Sequence, residues 1–329
     1  MAATLKDIAE KCGVAVSTVS NILNENKSSF TSEKIRELVK QTAEDLGYKK
    51  DYLSISLRTR RTTSIGLCID KVVDETRGFF INSFVRAFNR RQYEVAITEH
   101  LLDPQFAIRA IKSFNQRYKD GVALFTDFLR DIGPAKSELV ETIKSVDTKV
   151  LGIGSELRGI IPCIDIERSW AFNDVRERMV GHKKVLVVYK TAEEFRNAFN
   201  NFTDERFIHF PRIYSIDDFT RAWKNSEALV NQITAVFFRS DAVAIPAVKF
   251  LSTIGKKIPE DISVISFDNY EFSAHTTPAL TTYDINFSGL GETATDHLYK
   301  WVIGETDLPD DYYRTLRPQF IERESYRTV

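Results

Sequence analysis

The sequence predicts a small all-α helix-turn-helix headpiece followed by a larger α/β domain built on parallel sheets. Three observations carry this. Residues 4–46 hold three short amphipathic helical stretches, the first two separated by a glycine turn. From Thr63 onward, short Val/Ile/Phe-rich runs alternate with amphipathic segments. A chain of 329 residues also exceeds what one ordinary core accommodates.

In the headpiece, Thr4-Leu5-Lys6-Asp7 has the spacing of a capping box, Thr4 as N-cap and Asp7 reaching back to it. A helix to about Cys12 follows, with Leu5, Ile8 and Ala9 on its apolar side. Gly13 ends it, because glycine takes the left-handed backbone such a stop requires. The next run, "GVAVSTVSNILN" (13–24), repeats Val19, Ile22 and Leu23 at helical spacing and sets Ser17, Thr18, Ser20, Asn21 and Asn24 mostly on the other side. Exposed helical faces ordinarily carry Lys and Glu. This one carries only small hydroxyls and amides, which are poor helix formers. Such a face suits the major groove of DNA, where Ser, Thr and Asn match base edges and phosphates without bulk and acidic groups would be repelled. Two short helices joined by a tight glycine turn, with small Ala9 at their crossing, read as helix-turn-helix; a helical bundle used for protein contacts is the alternative. A third helix is expected from about Ser32 to Leu46, capped by Ser32, burying Ile35, Leu38, Val39, Thr42 and Leu46, and stopped by Gly47.

Charge is spread unevenly. The net value of -1 divides into eleven Lys/Arg against eight Asp/Glu in residues 1–61, a balance of +3, and -4 in the remainder. "LRTRRT" (57–62) places three Arg within four positions, either as a solvated linker or as a contact to a polyanion. The N-terminal "MAATLKDIAEKCG" lacks the apolar core of a secretory signal, and no apolar run approaches the roughly 20 residues that cross a bilayer. Cys12, Cys68 and Cys163 are odd in number and far apart, so neither a disulfide framework nor a zinc site is indicated. A reducing, cytoplasmic setting follows as the economical expectation, with no membrane partner.

Beyond Thr63 the expected strands are 64–70, 94–100, 121–127, 149–155, 184–190, 235–241 and 262–268, separated by helices such as 104–118 and 216–232. Continuous apolar strands with intervening amphipathic helices imply parallel sheets covered on both faces. Open parallel sheets bind ligands at the carboxyl ends of their strands. Those ends carry Asp70, Asp127, Ser155, Lys190, Ser240-Asp241 and Asp268.

Enzyme signatures are lacking. "GIGSELRG" (152–159) lacks the third glycine of a dinucleotide loop, and no nucleophile elbow, zinc-protease or P-loop pattern occurs. The five histidines are scattered, and none stands at metal-ligand spacing with a Cys or another His. "PDDYY" (309–313) is a solvated Pro-led turn. No catalytic residue, metal or cofactor is expected.

"TLKDIAEKCGVAVSTVSNILN" and "LGYKKDYLSISLRTRRTTSIGL" resemble the headpiece and hinge of the LacI/GalR family of bacterial transcriptional regulators. The similarity continues through "KDGVALF" (119–125), "GHKKVLVV" (181–188), "AVFFRSDAVAIPAVKFL" (235–251), "KIPEDISVISFDNY" (257–270) and "TPALTTYDIN" (277–286), and so spans nearly the whole chain. The resemblance implies a headpiece over 1–49, a hinge helix over 50–61 and an effector-binding and dimerisation domain over 62–329, two-lobed like the periplasmic binding proteins. Lobe 1 is expected at about 62–157 and 285–308, lobe 2 at about 158–284 and 309–329.

The same resemblance implies a homodimer on a near-palindromic operator in double-stranded DNA. Val16, Ser17 and Asn21 then read bases, Thr18 and Ser20 lie beside phosphates, and Thr4 and Asn24 complete the contact surface. Leu57 stands where a leucine wedges into the minor groove, next to Arg58. Ala15 replaces a usual Ser, and Asn21 a usual Arg; Arg favours guanine whereas Asn suits adenine. Ser54, a weaker helix former than the usual Ala, makes hinge folding less favourable.

For the small-molecule effector, a sugar or another metabolite, the resemblance implies Phe79, Phe80, Asp127, Lys190, Thr191, Arg239, Ser240, Asp241 and Asp268. The sharpest departure is "VVYKTAEEFRNAF" (187–199), where Thr191 stands in place of an Arg and Glu194 in place of a Gly, after a shortened loop. Thr cannot clamp a ligand as a five-donor guanidinium does. Either the pocket takes a different ligand, with Lys190 or Arg239 supplying charge, or ligand control is lost. The alternatives to an effector-controlled regulator are a two-lobed binding protein without a DNA role and a regulator whose sensor contacts a protein.

Overall fold

The computed structural model describes residues 3–23, 31–48, 62–73, 75–117, 120–126, 129, 134–190 and 205–329. The chain falls into two compact units, Met1–Thr62 and Thr63–Val329.

The first unit contains α1 (Leu5–Cys12), α2 (Val16–Leu23) and α3 (Glu33–Asp45). Both halves of the capping box form: the Asp7 N–H donates to the Thr4 hydroxyl at 3.3 Å, and the Thr4 N–H donates to the Asp7 carboxylate at 2.8 Å. These bonds to Thr4 hold the Asp7 carboxyl below the usual range. Gly13 takes φ +63°, and its N–H returns to the carbonyls of Ala9 and Glu10. Ile8, Ala9, Val19, Ile22, Val39 and Ala43 form the core.

Two details of α3 differ from the sequence expectation. Ser32 stands at the N-cap without a side-chain hydrogen bond. Leu38 is 48 % exposed, and Ala43 is buried in its place. A helix advances about 100° per residue, so the seam running through Ile35, Val39 and Ala43 leaves Leu38 on its flank.

The second unit carries two six-stranded sheets. The first has the order β11-β5-β4-β3-β1-β2 and is parallel throughout: β1 (Ser64–Ile69), β2 (Glu94–Glu99), β3 (Gly121–Phe125), β4 (Lys149–Ile153), β5 (Cys163–Ile166) and β11 (Tyr313–Leu316). The second has the order β12-β10-β9-β8-β6-β7: β6 (Val185–Val188), β7 (Phe207–Phe210), β8 (Ala235–Phe238), β9 (Ser263–Phe267), β10 (Thr281–Asp284) and β12 (Gln319–Ile321), which alone runs antiparallel. Helices α4 (Glu75–Asn89), α5 (Pro104–Gln116) and α6 (Pro134–Ser145) belong to the first lobe, as does α11 (Phe287–Ile303), which packs on α4. Helices α7 (Arg168–Arg178), α8 (Ile216–Asn225), α9 (Glu227–Val230) and α10 (Asp241–Thr253) belong to the second. Apolar clusters cover the sheets on both faces, and one of them is continuous from the Phe80-Phe84-Phe88 stack of the first lobe to Phe172, Phe237 and Phe267 of the second.

The seven expected strands are present, but the lobe boundaries shift. The chain leaves the first sheet at Glu167, returns at 285–286 and crosses finally at 317–318, so the crossings expected near 157 and 309 each lie about ten residues early. Both errors come from missed first-lobe strands. β5 reads "CIDI" and β11 reads "YRTL": four residues each, interrupted by Asp165 or Arg314. Charged interruptions are what a short strand toward a sheet edge tolerates, and they erase its apolar signature. The helix expected over 216–232 likewise breaks at Ser226 into α8 and α9.

Candidate DNA-reading face and effector cleft

The backbone around α2 explains how an unfavourable helical sequence is held. The Ala15 carbonyl accepts from the Thr18 N–H at 2.9 Å and the Val19 N–H at 3.1 Å, which places Ala15 at the N-cap with no side-chain acceptor to offer. Val19 and Ile22 anchor one side in the core. Ser17 and Asn21 are exposed, one turn apart on the opposite side, and Val16 beside them is 43 % exposed. Thr18 and Ser20 are half-buried. The helix carries no charge, so its outer face is a strip of small hydrogen-bonding groups. Thr4 is exposed, but its hydroxyl is committed to Asp7, so its evident role is to cap α1. Asn24, Leu57 and Arg58 lie outside the described residues, as does the hinge over 50–61.

In the second unit a cleft of about 400 Å³ opens between the lobes. First-lobe loops at the strand ends supply Ser155, Glu156 and Arg158; β5 supplies Asp165, and β11 supplies Tyr313 and Thr315. The first crossing supplies Glu167, and the second lobe supplies Arg168, Ser169 and Phe172 from α7 together with Arg239.

Of the residues expected to hold an effector, Arg239 lines this cleft. Its guanidinium lies over the Phe267 ring at 4.8 Å and approaches Asp268 at 3.7 Å. Asp268 follows β9 with φ +117°, a strained backbone for a non-glycine residue. Its carboxylate accepts the Ser240 hydroxyl at 2.8 Å. Burial pushes its carboxyl up to about 7, helped by the Asp241 charge and opposed by Arg239 and Ser240. Ser240 also caps α10, its hydroxyl accepting the Ala242 N–H. Lys190 is half-buried just beyond β6, and Phe79 is exposed on α4. Asp127 and Thr191 lie outside the described residues.

Two expected ligand contacts are corrected. Phe80 is fully buried, stacked on Phe84 at 5.3 Å and edge-on to Phe125 at 4.8 Å, because its position on α4 faces the sheet. Asp241 is also fully buried. Its carboxylate accepts the Tyr270 N–H at 2.9 Å and the hydroxyls of Ser273 and Thr282 at 2.5 and 2.9 Å. It therefore pins the loop after β9 to α10 and β10, with burial raising its pKa against these bonds.

Sequence reasoning missed Arg158, Asp165, Arg168, Phe172 and Tyr313. The Asp165 carboxylate accepts from the Ile166 N–H at 2.7 Å, from Arg168 at 3.2 Å and from the Tyr313 hydroxyl at 3.2 Å. Recognising β5 as a strand would have exposed its carboxyl end, and with it Asp165 and Arg168, to the strand-end rule. Elsewhere between the lobes, the Glu271 N–H of the second donates to the Glu75 carboxylate of the first at 2.6 Å.

Residues 4–51 match the model of bacterial regulatory proteins of the lacI family, and residues 178–326 match the periplasmic binding protein-like domain. The HTH-type transcriptional regulator RegA of Clostridium saccharobutylicum is 23% identical over 99% of both chains. The HTH-type transcriptional repressor PurR of Escherichia fergusonii is 25% identical over 98% of this chain and 96% of its own. The lac repressor dimer bound to operator and the anti-inducer ONPF superposes with a TM-score of 0.80 at 17% identity, covering 99% of each chain. The chain thus joins a LacI-family helix-turn-helix domain to a periplasmic binding protein-like domain and is similar from end to end to transcriptional regulators built in this way.

Proposed function

We propose that this protein is a sequence-specific DNA-binding transcriptional repressor that grips a near-palindromic operator as a homodimer and is controlled by a small molecule in the interlobe cleft. The observation that carries this is the charge-free face of α2, with Ser17 and Asn21 exposed one turn apart and Val16 beside them. In this reading Val16, Ser17 and Asn21 meet base edges, and Thr18 and Ser20 approach phosphates. One headpiece reads too few bases for selectivity, whereas two linked heads multiply effective concentration. The similarity to a lac repressor dimer bound to operator supports the two-headed arrangement.

The protein acts by binding, not by catalysis, and works in the cytoplasm, where bacterial operators are. Among the described residues no helix is long and apolar enough to cross a membrane, and no cluster of His, Cys, Asp and Glu could hold a metal ion. Effector binding alters the relative pose of the lobes and so changes operator affinity, as a coupling free energy between separate sites.

The test is selection from a randomised duplex library with the intact protein, followed by titration at several salt concentrations. A two-fold-symmetric consensus and a linear decrease of log affinity with log salt are expected. Failure to enrich any duplex over bulk competitor at low ionic strength would overturn the regulator reading.

A further inference from the structure

We propose that the interlobe cleft takes an anionic metabolite, its carboxylate or phosphate group held between Arg158 of the first lobe and Arg239 of the second. This rests on the reading of the cleft as the effector site and narrows the chemistry of its ligand.

Three guanidinium groups and three carboxylates line the cleft, so its formal charge is balanced. What distinguishes them is how far each is already spoken for. Asp165 and Arg168 neutralise one another at 3.2 Å, and the Ile166 N–H and the Tyr313 hydroxyl further occupy the Asp165 oxygens. Glu167 is drawn to Arg317, outside the lining, at 3.0 Å. Glu156, the third carboxylate, is half-buried at the first-lobe side and is itself engaged within the protein. Arg158 lies 4.2 Å over the Tyr313 ring and makes no ion pair among the described residues.

Arg239 is the more telling case. Its side chain is only 17 % exposed and is sandwiched near the rings of Phe267 and Phe172, at 4.8 and 6.0 Å. Its nearest carboxylate oxygen, on Asp268, is 3.7 Å away, beyond hydrogen-bond reach. Among the described residues the guanidinium makes no hydrogen bond. None of its nitrogens is a buried unpartnered atom, so the donors open onto the cleft, where an incoming acceptor can meet the five-donor fork. A guanidinium beside aromatic rings keeps its planar fork of donors for an incoming group, and such a fork matches a carboxylate or phosphate bidentately. Asp268 opposes an anion less than an ordinary carboxylate would, since its oxygen already receives Ser240 and burial favours its protonated form. A neutral polyol would use donors and acceptors in equal measure, but Asp165 and Asp241 have their acceptors taken up within the protein.

The full-length protein is titrated calorimetrically with inorganic phosphate, glucose 6-phosphate, succinate and citrate, with glucose as the neutral control, and the Arg158→Gln and Arg239→Gln variants are compared. At least one anion is expected to bind where glucose does not, and each substitution to weaken it at least tenfold, about 1.4 kcal/mol. The phosphate and carboxylate members separate the two sources of charge. Arg158 is exposed, so its substitution is informative even if Arg239→Gln misfolds. The proposal is overturned if glucose binds as tightly as glucose 6-phosphate, if none of the four anions binds, or if neither variant changes anion affinity. Operator selection without ligand is measured alongside: a protein that selects an operator yet fails here keeps the regulator reading and loses only the anionic effector.

Discussion

Replacing Asn21 by Arg should exchange one base in each operator half-site and leave the rest of the consensus in place. Asn21 is exposed on a helix with no charge, one turn from Ser17, and its amide makes no hydrogen bond among the described residues. An amide presents one donor and one acceptor side by side, which matches adenine N6 and N7; a guanidinium presents donors only and matches guanine O6 and N7. A good bidentate pair discriminates by about 1–3 kcal/mol. Two heads on a symmetric operator double this to about 2–6 kcal/mol, or roughly 30-fold to 10⁴-fold between the two sequences. The substitution should not disturb the fold, because Val19 and Ile22, not Asn21, carry α2 into the core. The assay is competition binding of both proteins against two duplexes that differ only at the selected base in each half-site. A crossed preference is expected: adenine for Asn21, guanine for the variant. If both proteins prefer the same duplex, or if the natural protein selects guanine there, Asn21 does not read that base and the docking of α2 is wrong.

Three further outcomes follow from the local physics. Ala15→Ser supplies the missing side-chain acceptor at the N-cap of α2 and should stabilise the headpiece by about 0.5–2 kcal/mol, read as a higher midpoint of its own unfolding transition. Ile22→Ala empties a fully packed position in a six-residue core, at a cost of about 2–5 kcal/mol; operator binding should vanish while melting of the unit Thr63–Val329 stays unchanged. Asp268 has a folded pKa raised to about 7 from 3.8, so its contribution to stability is full below about pH 4 and is lost as pH rises through 7. Denaturant titrations should therefore show wild type losing up to about 4 kcal/mol relative to Asp268→Asn between pH 4 and pH 8, and parallel profiles for the two proteins would refute the assignment.

What could be read in advance followed local rules. Thr4, Asp7 and Gly13 announce α1 because capping and left-handed stops depend on a few adjacent residues, and β1, β3, β6, β8 and β9 are visible because burial on both faces makes them largely apolar. Those that escaped are short: "CIDI", "FIHF", "TTYD", "YRTL" and "QFI" are three or four residues long, and several carry charge. The cleft suffered most from this, since Asp165, Tyr313 and Thr315 of its lining lie on β5 and β11, and Glu167, Arg168 and Ser169 follow directly after β5. Strand-end position also cannot say which way a polar side chain turns. Arg239 and Asp241 lie two residues apart after β8, yet one reaches the cleft and the other is consumed inside the lobe by Tyr270, Ser273 and Thr282.

That division of labour after β8 bears on control. Asp241 fixes the loop carrying Asp268 and Asn269 to the body of the second lobe, so Asp268 and the adjacent Arg239 move with that lobe as a unit. Arg158 and Tyr313 are equally fixed to the first. The lobes are joined by three crossings and share a continuous apolar cluster, and the Glu75–Glu271 hydrogen bond is an exposed polar contact between them worth about 1 kcal/mol. A ligand that engages Arg158 and Arg239 together touches both lobes at once and so bears on their relative pose. Its leverage over the lobe equilibrium equals its difference in affinity between the two poses, and couplings of about 1–3 kcal/mol are enough to change operator occupancy 5- to 150-fold. Deleting the tie with Glu75→Ala should then shift ligand affinity and operator affinity together, by linked amounts, although Glu75 belongs to neither the DNA-reading face nor the arginine pair. Ligand affinity and operator affinity that respond independently would mean that the lobes do not transmit the signal.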